Sequence, residues 1–140
     1  MLLHATSRND KLWDEQNWIA LGKYLRQVGI GAVLPWGNEQ EKKRSERLRL
    51  AIPGAVCTPG INLNEAAAML GGARIVIGVD TGLSHLAAAL GTPTIGIYTA
   101  TDPGLTGLYA GKNAVNLGGK NLTPAVADVC VLLEQSIGHD

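Results

Sequence analysis

The 140-residue sequence predicts an α/β fold, in which a parallel β-sheet is covered by helices on both faces. Three observations predict it. Apolar runs of strand length recur along the chain, and helix-like segments alternate with them. Gly, Pro and Asn fall at the boundaries between the two kinds of segment. Hydrophobic residues make up 46% and charged residues 17%, the balance of one folded domain with a real core.

LLHAT, residues 2–6, reads as the first strand, and SRNDK as a polar loop after it. In WDEQNWIALGKYLRQVG, residues 13–29, Trp18, Leu21, Leu25 and Val28 recur at helical spacing, and Gly29 ends the helix. GAVLPW (31–36) is the second strand, and GNEQEKKRSERLRLA (37–51) a charged helix with Leu48 and Ala51 turned inward. AVCT (55–58) is a short third strand, and NLNEAAAMLGGA (62–73) a helix capped by Asn62 or Asn64. RIVIGV (74–79) is the fourth strand. The helix after it, TGLSHLAAALG (81–91), places Leu83, Leu86, Ala87 and Leu90 on a buried stripe. PTIGIYT (93–99) is the fifth strand. A DPG turn at 102–104 and a glycine-rich loop lead to a short strand, NAVNL (113–117). TPAVADVCVLLEQSI (123–137) closes the chain as a helix, with Thr123 as N-cap and Pro124 at the first helical position. There is no internal repeat, low-complexity segment or linker, so the expected architecture is a doubly wound, Rossmann-like parallel sheet.

The totals exclude several classes. Twelve basic residues balance twelve acidic ones, which argues against a nucleic-acid binder. Cys57 and Cys130 are far apart and form no CxxC, so both are expected as reduced, buried thiols. No apolar run reaches membrane-span length, and MLLHAT lacks a basic start. The chain enters its first strand at residue 2, which reads as one half of a longer protein. There is no GxGxxG after the first strand, as a dinucleotide dehydrogenase would need, and no GxxxxGK[ST] phosphate loop. No DxD pair is present to hold a divalent metal, and no cofactor is expected.

In doubly wound sheets ligands bind beyond the carboxyl ends of the strands. That rule selects five loops. After the first strand, Thr6, Ser7 and Lys11 could hold phosphate oxygens or form an ordinary polar loop. After the second, Glu39 and Glu41 offer carboxylates suited to a ribose diol, or equally to the positive end of a helix. After the third, Ile61 could cover a flat base or simply pack. After the fourth comes VDTGLSHL, residues 79–86. Asp80 or Thr81 caps the helix, the amides of Gly82, Leu83 and Ser84 face outward, and Gly82 admits a ligand closely. Such a helix start is an anion site. His85 lies off the buried stripe, on the same side. After the fifth, Thr101, Asp102, Pro103 and Gly104 shape a turn at the rim.

HATSRNDKLWDEQNW, LPWGNEQE and VIGVDTGLSHLAAALGTPTIGIY followed by TDPG resemble the carboxyl-terminal half of bacterial lipopolysaccharide heptosyltransferases, the type I branch above all. The resemblance runs through nearly the whole chain, and D-T-G-x-x-H is its most specific motif. It implies a GT-B enzyme built of two Rossmann-like domains. Residues 1–140 would be the domain that binds the donor, ADP-L-glycero-D-manno-heptose. The acceptor, Kdo-lipid A, would sit on an amino-terminal domain outside this chain, at the cytoplasmic face of the inner membrane, with peripheral membrane association. Transfer would invert the anomeric centre and use no metal. Carried over by residue, Thr6, Ser7 and Lys11 match positions that hold the diphosphate, and Glu41 the acid on the ribose. Ile61 stands where the family often places methionine against adenine. Asp80 matches the acid on the heptose, and Thr81, Gly82 and Leu83 the phosphate-binding helix start. His85 matches the motif histidine.

On this reading Lys11 and Asp80 are the catalytic pair. Lys11 and the amide dipoles stabilise charge developing on the departing diphosphate, and Asp80 favours an oxocarbenium-like sugar. The general base belongs to the other domain, so the chain alone is expected to bind nucleotide without catalysing transfer. The alternatives are a stand-alone nucleotide-binding module and an interaction scaffold whose motif residues serve only as caps.

Overall fold

The computed structural model describes residues 1–6, 8–100, 113–119 and 122–137. Its elements run β1 (Leu2–Leu3), a 3-10 turn (Asn9–Lys11), α1 (Glu15–Gln27), β2 (Val33–Leu34), α2 (Glu39–Ala51), β3 (Val56–Cys57) and α3 (Leu63–Gly72). Then follow β4 (Val76–Val79), α4 (Gly82–Ala89), β5 (Thr94–Tyr98), β6 (Ala114–Gly118) and α5 (Val126–Ile137). Ser7 and the 102–104 turn lie outside the described residues.

Among the described residues, the four pairings between strands are parallel, as expected. They form two ladders, β1-β4-β5-β6 and β2-β3, rather than one continuous sheet. Register is set by Leu2 opposite Ile77, Ile77 opposite Ile95, and Ile95 opposite Val115. Because β1 lies beside β2, the strand order is β3-β2-β1-β4-β5-β6, the doubly wound arrangement.

The period-2 alternation of the strands divides the core. Leu2, Ile77, Val79, Ile95 and Ile97 join Trp18, Leu21 and Leu25 of α1, Leu48 of α2, and Val129 and Leu133 of α5. Leu3 and Val76 meet Leu70 of α3 and Ala87 of α4 in a second cluster. Helices therefore cover both faces.

Several expected boundaries move for identifiable reasons. β1 is shorter than residues 2–6, and just beyond it the His4 side chain meets Ser45 on α2. β2 stops before Pro35, which has no N–H to donate. Trp13 precedes α1. Its buried indole donates to the Pro124 carbonyl at 3.0 Å and meets Trp18 edge-to-face with ring centroids 5.0 Å apart. With Pro124 used in that tie, α5 begins at Val126 and not at Thr123. Val28, expected inward, is the exposed C-cap of α1, and Gly29 follows at φ 85°. Cys57 and Cys130 are free, as expected, but half-buried rather than buried.

The largest correction concerns α4. Its buried face is Ser84, Ala87 and Ala88, while Leu83 and Leu86 are only partly buried and Leu90 is exposed. The cause is close approach. A Cβ at Gly78 would lie 2.9 Å from Leu3 Cβ and would collide with Ser84 Oγ. So α4 rests directly on β4, and only small residues fit between them. Ser84 Oγ also donates to the Val79 carbonyl at 2.7 Å, satisfying the strand end from the helix.

Candidate functional site

The carboxyl ends of β1, β2 and β4 open into a cleft of about 550 Å³. Glu39, the other carboxylate after the second strand, does not line it, whereas Thr6, Lys11, Glu41, Ile61, Asp80, Thr81, Gly82, Leu83 and His85 do. They come from four loops spread over most of the chain, so the topology alone gathers them.

Asp80 is the electrostatic centre. It lies at the tip of β4, with 10% of its side chain exposed. Oδ2 is 3.0 Å from Lys11 Nζ, and Oδ1 is 3.3 Å from His85 Nε2. Thr6 Oγ1 donates to the Asp80 carbonyl at 3.2 Å, fastening the first loop to the fourth. The 3-10 turn brings Lys11 back over the sheet edge. His85, whose side chain is 41% exposed, stands one helical turn into the cleft, so its partner is Asp80.

The start of α4 differs from the expectation in one respect. Thr81 is the N-cap, but its side chain makes no capping hydrogen bond. The Ser84 amide is not available, since it donates to the Thr81 carbonyl at 3.1 Å. Among the described residues, the amides of Gly82 and Leu83 have no acceptor. Two N–H groups thus face the cleft beside Lys11, an arrangement suited to an anion.

Glu41 combines both roles the sequence allows. It lines the cleft, and it also closes the start of α2. Its Oε1 accepts from the Gly37 amide at 2.8 Å, and its amide donates to Asn38 Oδ1 at 2.9 Å. Of the two N-cap candidates on α3, Asn62 is used, in a reciprocal box with Glu65.

Two contributors were not picked out from sequence. Trp36 lines the cleft together with Ile61. Its indole donates to the Thr58 carbonyl at 2.7 Å, and Lys42 Nζ sits 5.1 Å from the ring centroid. An aromatic at a strand end beside Gly-Asn is the local signal for it. His4 forms the floor and is fully buried. Ser45 Oγ donates to the Pro35 carbonyl at 3.0 Å, so His4 Nε2, 2.7 Å from that oxygen, must donate to it. This relay ties the ends of β1 and β2 to α2. Burial pushes the His4 pKa from 6.5 down to about 4, with Arg44 and Arg47 adding and Glu15 opposing. No local pattern marks His4, because its partner is 41 residues away.

Among the described residues, no group of three His, Cys, Asp or Glu side chains is placed to hold a metal ion. None of the described helices is long and apolar enough to cross a membrane. The cleft therefore offers an ion-paired carboxylate, a lysine, two open amides and an aromatic wall.

Comparison with known proteins shows what the chain is similar to. The chain is 47% identical over 113 residues to lipopolysaccharide heptosyltransferase 1 of Escherichia coli (strain K12), covering 81% of this chain and 35% of that protein. It is 41% identical over 118 residues to the same-named protein of Pseudomonas aeruginosa, covering 84% of this chain and 33% of that one. It thus spans about a third of the length of these curated relatives. The structure of E. coli heptosyltransferase WaaC with ADP superposes with a TM-score of 0.90 at 40% identity, over 96% of this chain and 43% of that one. E. coli ADP-heptose lps heptosyltransferase II shares the fold, with a TM-score of 0.79 at 18% identity, over 99% of this chain and 44% of that one. The family model for glycosyltransferase family 9 (heptosyltransferase) matches residues 1–135, and the chain belongs to that family.

Proposed function

We propose that this chain is the donor-binding domain of an inverting, metal-independent heptosyltransferase of GT-B architecture. Its ligand is ADP-L-glycero-D-manno-heptose. The acceptor, Kdo-lipid A, and the general base belong to an amino-terminal domain at the cytoplasmic face of the inner membrane. The observation that carries the reading is the meeting of Lys11, Asp80 and the open amides of α4 at one strand tip. Solved relatives hold ADP and ADP-2-deoxy-2-fluoro heptose, which supports a nucleotide-heptose donor.

The diphosphate lies against the Gly82 and Leu83 amides, with Thr6, Thr81 and Lys11 around it. Charge grows on its oxygens as the glycosidic bond to phosphate breaks, and fixed dipoles stabilise it where it develops. The diphosphate competes with Asp80 for Lys11. Released from that pair, Asp80 faces the sugar, where a carboxylate favours positive charge at the anomeric carbon. His85 holds the Asp80 carboxylate in orientation. Glu41 reaches the ribose, and Trp36 and Ile61 flank the base. Because this reading places the general base on the other domain, the chain alone is expected to bind donor without transferring heptose.

Calorimetry on the chain and on Asp80→Ala tests this. ADP should bind the variant as well as the parent or better, because a competitor for Lys11 is gone. The additional affinity contributed by the heptose should disappear. Equal weakening of ADP and ADP-heptose would refute the sugar role of Asp80, and no binding at millimolar ADP would favour an interaction scaffold.

A further inference from the structure

A second cavity of about 490 Å³ adjoins the cleft, sharing Ala5, Thr6 and Glu41 with it. One wall is a single face of α2, because Gln40, Lys43, Arg44 and Arg47 recur at i, i+3, i+4 and i+7. Asn9 and Asn38 add side-chain amides at the rim.

The three cations are unequally matched. Arg47 is neutralised by Glu15 through two bonds of 3.1 Å. Lys43 has no ion pair or hydrogen bond among the described residues. Arg44 is half-buried and donates Nη2 to the Trp13 carbonyl at 2.7 Å. Its Nε is buried without a partner, and no carboxylate of the described residues lies within ion-pair distance of it. Burial lowers its pKa, with Glu15 opposing and Arg47 adding. The acid on the wall, Glu41, is already engaged by Gly37 and Asn38. Joining α1 to α2 accounts for Arg47 and for Arg44 Nη2. It does not account for Lys43, nor for an Arg44 that lines the cavity with no carboxylate of the described residues beside it.

We propose that this cavity binds a compact oxyanion, the phosphate or carboxylate group of a sugar-sized ligand, between Lys43 and Arg44. A cationic N–H donor suits either group, since a charge-assisted bond to an anionic oxygen is stronger than a neutral one. The site does not depend on the donor reading, and its signals are separate from those of the cleft.

The test follows the Arg44 Nε–H resonance in the 15N-labelled chain, titrated with pyrophosphate and, separately, with glucuronate. A saturable shift is expected with at least one of them, with a midpoint below about 10 mM. Response to pyrophosphate alone assigns a phosphate ligand, and to glucuronate alone a carboxylate ligand. Lys43→Gln, an exposed change, should weaken the response about tenfold, the effect of losing one charge-assisted bond. Lys11→Ala, in the main cleft, should leave it unchanged. A linear drift with both probes, or equal midpoints in parent and Lys43→Gln, would overturn the proposal. Failure of the donor reading would appear instead at the Gly82 and Leu83 amides with ADP.

Discussion

Two helix starts border the same cleft and are built in opposite ways. At α3, Asn62 and Glu65 satisfy each other's backbone amides, so that end is closed by its own sequence. At α4, Thr81 contributes no side-chain cap, and the amides of Gly82 and Leu83 are left without acceptors among the described residues. A reciprocal cap typically contributes about 1 kcal/mol, and α4 forgoes it. What α4 has in its place is a lysine, a nearly buried carboxylate and a glycine that a ligand can approach. The contrast separates a helix end closed by its own sequence from one left open at the cleft.

The cleft floor should break first, and by stability rather than binding. His4 titrates near 6.5 when unfolded and near 4 when folded, so the unfolded state binds the extra proton between those values. Its contribution is complete above pH 6.5 and is lost as pH falls toward 4, by about 3 kcal/mol in total. Urea unfolding across that range should show the loss, and His4→Gln should flatten it. A parent whose stability does not change from pH 6.5 to 4 would contradict the buried relay.

Next in size is the open end. Lys11→Ala should raise the ADP dissociation constant about 10- to 100-fold, as expected for one charge-assisted contact plus the unmasked Asp80 carboxylate. Calorimetry decides it, and unchanged affinity would remove Lys11 from the site. The smallest effects sharpen the contrast between the helix ends. Asn62→Ala should cost about 1 kcal/mol of unfolding free energy. Thr81→Ala should cost less than about 0.5 kcal/mol, because no capping bond is lost. Equal costs in denaturant unfolding would mean that the two ends are not built differently.

The order of strands and helices was legible in the sequence, and so was the edge where the site lies. Apolar runs and caps are local signals, and the rule placing ligands at strand ends did the rest. Asp80 and His85 were placed at that edge in this way, and Asn62 was one of two cap candidates on α3. What was not legible depends on contacts distant in sequence. The Trp13 bond to Pro124, 111 residues away, moves the start of α5. The buried face of α4 follows from Gly78 meeting Ser84 and Leu3, which the helical spacing of leucines cannot reveal. The Ser84 amide, expected to face a ligand, is taken by the Thr81 carbonyl, a choice the backbone makes in closing its first turn.

The most direct measurement is an amide spectrum of the 15N-labelled chain during an ADP titration. The Gly82 and Leu83 amides should move furthest and saturate together, while those of Asn62 and Glu65, already bonded within their box, should move little. Saturable binding with shifts at α3 as large as those at α4, or with Gly82 and Leu83 unmoved, would contradict the reading of α4 as the open end.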